Sequence, residues 1–168
     1  MNAAIFIEND FQDAEVLYPY YRLQEAGFNV LLVGPEKKTY AGKYGYPLQA
    51  DAAVADVKDT IFDVLVIPGG WAPDRLRRNS DLLEMVRRHV QSGKIVAAIC
   101  HGPWVLCSAG VLKGRTLTCY DAIKDDVTNA GGTYVDRDVV VDQNLVTSRK
   151  PADLPAFCRE ILRIAKPL

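Results

Sequence analysis

Short, fully apolar runs alternate along the chain with stretches of helical periodicity, the pattern of a parallel sheet built from βαβ units. Runs at 3–7, 29–34, 64–67 and 95–99 read as buried strands. Segment 12–26 reads as a helix stopped by Gly27, with a kink expected at Pro19. Segment 80–91 reads as an amphipathic helix capped by Asn79 or Ser80, with Leu82, Leu83, Val86 and Val90 inward. Segment 103–109 is a helix that Gly110 ends. Gly42, Gly45 and Pro47 make 39–49 a short hairpin or irregular excursion. A strand at 116–120, a helix near 122–130, short strands at 134–135, 139–141 and 145–148, and a last helix from about 152 to 165 complete the reading. The expectation is one α/β domain over residues 1–168, a mostly parallel, doubly wound sheet with helices on both faces. In such folds ligands sit beyond the carboxyl ends of the strands. Three loops leave strands there: 8–11, 68–71 and 100–103.

Composition narrows the class. A chain of 168 residues with 49% apolar and 24% charged residues can bury a sizeable core. A net charge of −1 supplies no field to draw nucleic acid or anionic lipid, and no apolar run is long enough to span a bilayer. The N-terminal residues carry no signal-peptide pattern. The four cysteines (Cys100, Cys107, Cys119, Cys158) form no C-x-x-C pair and only two histidines accompany them, so neither a structural zinc site nor another cofactor is expected. A reducing cytoplasm is the simplest compartment. Cys107, Cys119 and Cys158 read as small buried hydrophobes.

Cys100 differs because of its context. Ala98-Ile99-Cys100-His101-Gly102-Pro103 joins a strand to a helix, with small residues two before and two after the cysteine. This resembles the G-x-S-x-G nucleophile elbow, a tight turn that thrusts one side chain over the sheet edge. Backbone N–H groups at the following helix start are expected to favour the thiolate. Oxyanion donors are expected from the N–H groups of His101 and of the Gly69-Gly70 turn. His101 directly follows Cys100, an awkward placement for a base, because adjacent helical side chains diverge. His89 reads as structural. Trp71, Trp104 and Tyr120 flank the expected pocket or pack in the core. The arginines at 75, 77, 78, 87 and 88 read as a solvated or subunit-facing surface. Tyr18, Tyr20 and Tyr21 are candidates for a dimer face.

Taken together, 98–103, Pro68-Gly69-Gly70, Lys124-Asp125-Asp126 with Asn129-Ala130-Gly131, and Thr147-Ser148-Arg149 with Pro151 and Asp153-Leu154 resemble the PfpI branch of the DJ-1/PfpI superfamily over about residues 3–163. The resemblance implies a flavodoxin-like sandwich and a homodimer, often assembled into a hexamer. It implies Cys100 as nucleophile, His101 as its partner, and Asp74 reaching His101 from a neighbouring subunit. It places Tyr120 at the pocket. The activities it implies are peptidase-like hydrolysis, or glyoxalase or deglycase action on small aldehydes, in stress protection. The superfamily places a glutamate against the thiolate, and the matching position is read as Gln12. An amide donates a hydrogen bond but shuttles no proton, which argues against glyoxalase chemistry. Asp10, Asp13 and Glu15 are acidic neighbours, but helical spacing is expected to aim Asp13 and Glu15 elsewhere. The competing reading is a redox-sensing or chaperone-like stress protein in which Cys100 is oxidised. A flavin or nucleotide module lacks its glycine motifs.

Overall fold

The computed structural model describes residues 1–165. Its elements in chain order are β1 (Asn2–Phe6), α1 (Asp13–Glu25), β2 (Asn29–Gly34), β3 (Thr39–Ala41), β4 (Pro47–Gln49), β5 (Ala52–Ala53), α2 (Val54–Val57), β6 (Val64–Ile67), α3 (Ala72–Leu76), α4 (Ser80–Gln91), β7 (Ile95–Ile99), α5 (Pro103–Ala109), β8 (Thr116–Leu117), α6 (Lys124–Asn129), β9 (Thr133–Tyr134), β10 (Val139–Asp142), β11 (Leu145–Ser148) and α7 (Leu154–Ala165). Short 3₁₀ turns at Asp121–Ile123 and Pro151–Asp153 lead into α6 and α7.

The seven-stranded sheet has the order β10-β11-β7-β6-β1-β2-β5. Every pairing is parallel except the edge hairpin β10–β11. β6, β7 and β11 are buried at every residue. That is why β6 and β7 read as unbroken apolar runs rather than alternating ones: both sheet faces are covered. α1 packs with α7, while α4 packs with α2 and α5. Right-handed crossovers in opposite directions from β1 and β6 place these two groups on opposite faces. The strand order reverses between β1 and β6, so the loops after β1, β6 and β7 converge at the switch point.

The helix boundaries follow their punctuation. Gln12 caps α1, its Oε1 accepting from the Ala14 N–H at 2.7 Å, and the helix runs without interruption through Pro19. Its end is a Schellman turn: Gly27, at φ +83°, donates to Gln24 O, and Phe28 donates to Leu23 O. Asn79 caps α4, its Oδ1 accepting from the Leu82 N–H at 3.0 Å.

The structure corrects three expectations. The face of α4 that is buried outright is Leu82, Met85, Val86 and His89, with Leu83 and Val90 packed at its margin. His89 is fully buried between two backbone groups. Nε2 accepts from the Phe62 N–H at 2.9 Å, and Nδ1 lies 2.6 Å from Met85 O, to which it donates. The strand read at 116–120 shrinks to β8, which pairs with β9 in a separate parallel ribbon. The cause is that Cys119 and Tyr120 leave the ladder for the site: the Tyr120 N–H donates to Cys100 O at 2.9 Å. Finally, α3 follows the Gly69-Gly70 turn where no helix was read. Cys119 and Cys158 are buried as anticipated, whereas Cys107 is half-buried.

Candidate active site

Cys100 directly follows β7 with φ +62°, a left-handed conformation that non-glycine residues rarely adopt. Both sides of the turn hold it there. The Cys100 N–H donates to Ser148 O at 3.0 Å, and its carbonyl accepts from Tyr120. Glycine is required two residues on: a Cβ at Gly102 would stand 2.5 Å from Ile67 O and 2.8 Å from Ile99 O. The elbow read from the sequence is therefore present, with its strain where a reactive side chain is expected.

The same turn resolves the difficulty with His101. Cys100 is not helical, so the two neighbouring side chains do not diverge, and His101 Nδ1 lies 3.3 Å from the sulfur. The imidazole sits among Trp71, Trp104 and Tyr120, with ring centroids 5.5, 5.0 and 5.0 Å away. Burial, and secondarily the Lys43 charge, hold its pKa below the usual histidine value. A neutral ring beside the sulfur follows.

The carboxylate of the site is Glu15, not Gln12. Glu15 is fully buried, and its Oε2 accepts from the Gly69 N–H at 2.7 Å. Its other oxygen, Oε1, has no hydrogen-bond partner among the described residues. The carboxyl faces the Cys100 thiol closely enough for each group to perturb the other's ionisation. Burial pushes Glu15 up to about 7 against the pull of the Gly69 N–H. A Cβ on Gly69 would stand 2.6 Å from Glu15 Oε2 and 2.7 Å from Cys100 Cβ, so this glycine is what lets the carboxyl and the cysteine meet. Gln12 keeps a place on the cleft wall but serves as the helix cap. The sequence did carry the signal: Glu15 shares the stripe of Val16, Pro19 and Leu23 that α1 buries. Asp13 does point away, accepting from the Tyr44 and Tyr46 N–H groups and so anchoring the β3–β4 turn.

The expectation of a readily formed thiolate also needs correction. Burial first, then the Glu15 charge, push the Cys100 thiol up to about 12, while the N–H groups of His101 and Gly70 pull it down. Between about 7 and about 12 the pair holds one proton, which rests on the sulfur, and near neutral pH a thiolate forms as Glu15 takes that proton. The sulfur is nevertheless not sealed in hydrocarbon. It borders an open cleft of about 420 Å³ walled by Gln12, Lys43, Gly70, Trp71, His101 and Tyr120. Lys43, on the β3–β4 turn, had no signal in the sequence pattern.

Asp74 is the one proposed catalytic residue that the chain does not bring to the others. It is exposed on α3, and among the described residues it forms no ion pair. Arg75 pairs instead with Asp10 at 3.0 Å, and Arg77 reaches Ser108 Oγ. Among the described residues no three His, Cys, Asp or Glu side chains are grouped to hold a metal ion, and no helix is long and apolar enough to cross a membrane.

The model of the DJ-1/PfpI family matches residues 1–164. The chain belongs to the DJ-1/PfpI family. Among similar proteins, the deglycase PfpI of Pyrococcus furiosus is 49% identical over 158 residues, covering 94% of this chain and 95% of its own. A putative cysteine protease, YraA, of Bacillus subtilis is 43% identical, covering 97% of each chain. The solved structure of DJ-1β from Drosophila melanogaster superposes with a TM-score of 0.93 at 29% identity, over 98% of this chain and 89% of that one. Family membership and the flavodoxin-like α/β sandwich thus agree with the reading of the motifs.

Proposed function

We propose that this DJ-1/PfpI protein is a cysteine-dependent enzyme that acts on small reactive carbonyls, with deglycase-type hydrolysis of carbonyl adducts as its activity. The observation that carries the proposal is the buried Glu15 carboxyl against the Cys100 thiol, beneath an open cleft. It removes the objection that Gln12 raised, since a carboxyl with a pKa of about 7 gives and takes protons at neutral pH. In the step considered, the Cys100 proton passes to Glu15 and the sulfur lone pair adds to the carbonyl carbon. The C=O π electrons move to oxygen, where the N–H groups of Gly70 and His101 stabilise the charge. Glu15 then returns its proton to the oxyanion or, as the oxyanion re-forms C=O and the C–N bond breaks, to the departing amine; water then displaces the sulfur from the carbon and restores the thiol. Relatives named as deglycases and as a putative cysteine protease support chemistry of this class.

Asp74 belongs to this reading only in an assembly of several copies, where a neighbouring chain would present it to His101. Exposed Tyr18 and Tyr21 on α1 are surface that such an assembly would cover. The test of function is turnover. Purified protein, Cys100→Ser and Glu15→Gln are given methylglyoxal, methylglyoxal adducts of amino acids and fluorogenic peptides. Turnover of the adducts that both substitutions lower at least about a hundredfold supports the reading. Equal and negligible rates with selective peroxide oxidation of Cys100 would replace it with redox sensing.

A further inference from the structure

A second recess of about 280 Å³ adjoins the cleft, and Tyr120 borders both. Its charged residues fall into two groups. Arg149 is fully engaged: Nε and Nη2 bind the two Asp153 oxygens at 2.9 and 3.1 Å, and Nη1 binds Asp136 Oδ1 at 2.8 Å. Asp121 and Lys150 also line the recess, yet among the described residues neither forms an ion pair or a side-chain hydrogen bond. The recess therefore offers one uncommitted carboxylate and one uncommitted ammonium, flanked by the rings of Tyr120 and Tyr134. The group complementary to that pair is a small zwitterion.

We propose that this recess is a second subsite of the Cys100 cleft, taking the α-ammonium group of an amino acid at Asp121 and its α-carboxylate at Lys150. The inference rests on the proposed carbonyl-adduct activity for its biological sense, since the adduct would then sit on the amino acid's side chain. Because Tyr120 is shared by the two spaces, a ligand headed in the recess reaches the sulfur by passing one aromatic ring. Lysine and arginine suit this path. Their apolar stems cover aromatic surface while the side-chain nitrogen, the point of adduct formation, lies at the far end. An amino acid within a protein has no free α-ammonium or α-carboxylate, so the subsite selects free amino acids over protein side chains.

Equilibrium binding tests this without turnover. Free arginine and Nα-acetyl-argininamide are titrated calorimetrically into the Cys100→Ser protein, and into Cys100→Ser carrying Lys150→Gln or Asp121→Asn. Free arginine should bind at least about fivefold more tightly than the blocked form, and each added substitution should remove that preference. Unchanged thermal midpoints show that the variants are folded. Equal affinities for the two ligands, absence of binding by either, or a preference that survives both substitutions would overturn the subsite. Failure of the turnover assay above would leave this binding result standing.

Discussion

Replacing Glu15 with glutamine should make the protein more stable at alkaline pH while disabling it. Glu15 is fully buried and its pKa is raised from 4.5 to about 7, chiefly by loss of solvation. An acid whose folded pKa lies above its unfolded one binds more protons in the folded state between those two values. Stability is then highest below pH 4.5, falls as pH rises towards 7, and is fully reduced above it. At about 1.4 kcal/mol per tenfold change in the protonation equilibrium, the displacement amounts to about 3 kcal/mol. The amide keeps an oxygen to accept the Gly69 N–H and carries no charge to desolvate. Urea unfolding of the parent and Glu15→Gln at fixed protein concentration, at pH 5 and pH 8, reads the effect directly. The variant should gain roughly 2–3 kcal/mol relative to the parent between pH 5 and pH 8. A difference that does not change with pH would refute the claim that the buried carboxyl ionises at a cost, and with it the proton exchange built on that claim.

Three further outcomes follow from the packing. Gly69→Ala places a methyl group against Glu15 Oε2 and Cys100 Cβ. It should cost about 1–3 kcal/mol of stability and at least tenfold in kcat/KM, measured by urea unfolding and adduct turnover. Protonating His89 would set an N–H against the Phe62 N–H it now accepts from. Burial lowers the folded pKa of His89 below 6.5, so its contribution is present above 6.5 and lost as pH falls through the lower folded value. This slope opposes that of Glu15, and comparing His89→Gln with the parent from pH 7 to pH 5 isolates it: the variant's stability should fall less. Leu82→Ala, at a fully buried position of α4, should cost about 2–5 kcal/mol without altering the pH profile of turnover.

Much of this architecture was legible because apolar runs and glycine or proline punctuation coincide. The bounds of β2, β6, β7, β11, α4 and α5 match the reading residue for residue. What failed did so for tertiary reasons. The segment 116–120 has strand composition, but Tyr120 donates its N–H to the Cys100 elbow instead of a neighbouring strand. The Cys100 elbow itself was legible from two small residues and a proline. Its carboxylate partner was not, because motif matching stopped at Gln12, three residues short of Glu15. The register of α1 would have exposed Glu15 as the one acidic residue on a stripe otherwise made of Val16, Pro19 and Leu23. The nearness of His101 Nδ1 to the sulfur was hidden by assuming helical geometry at Cys100, which a φ of +62° abolishes. Lys43 reaches the cleft only because Asp13 ties down the β3–β4 turn, a contact between distant parts of the chain.

The exchange of one proton between Glu15 and Cys100 is tested most directly by the rate at which iodoacetamide alkylates Cys100 in the native protein, followed by mass spectrometry from pH 5 to pH 10. The parent's rate should rise with a midpoint near 7, where the pair gives up its first proton, and then level off, whereas Glu15→Gln, relieved of the charge that pushes the thiol up, should show no midpoint near 7 and keep gaining speed into alkali. Superimposable profiles for the two proteins would contradict the account.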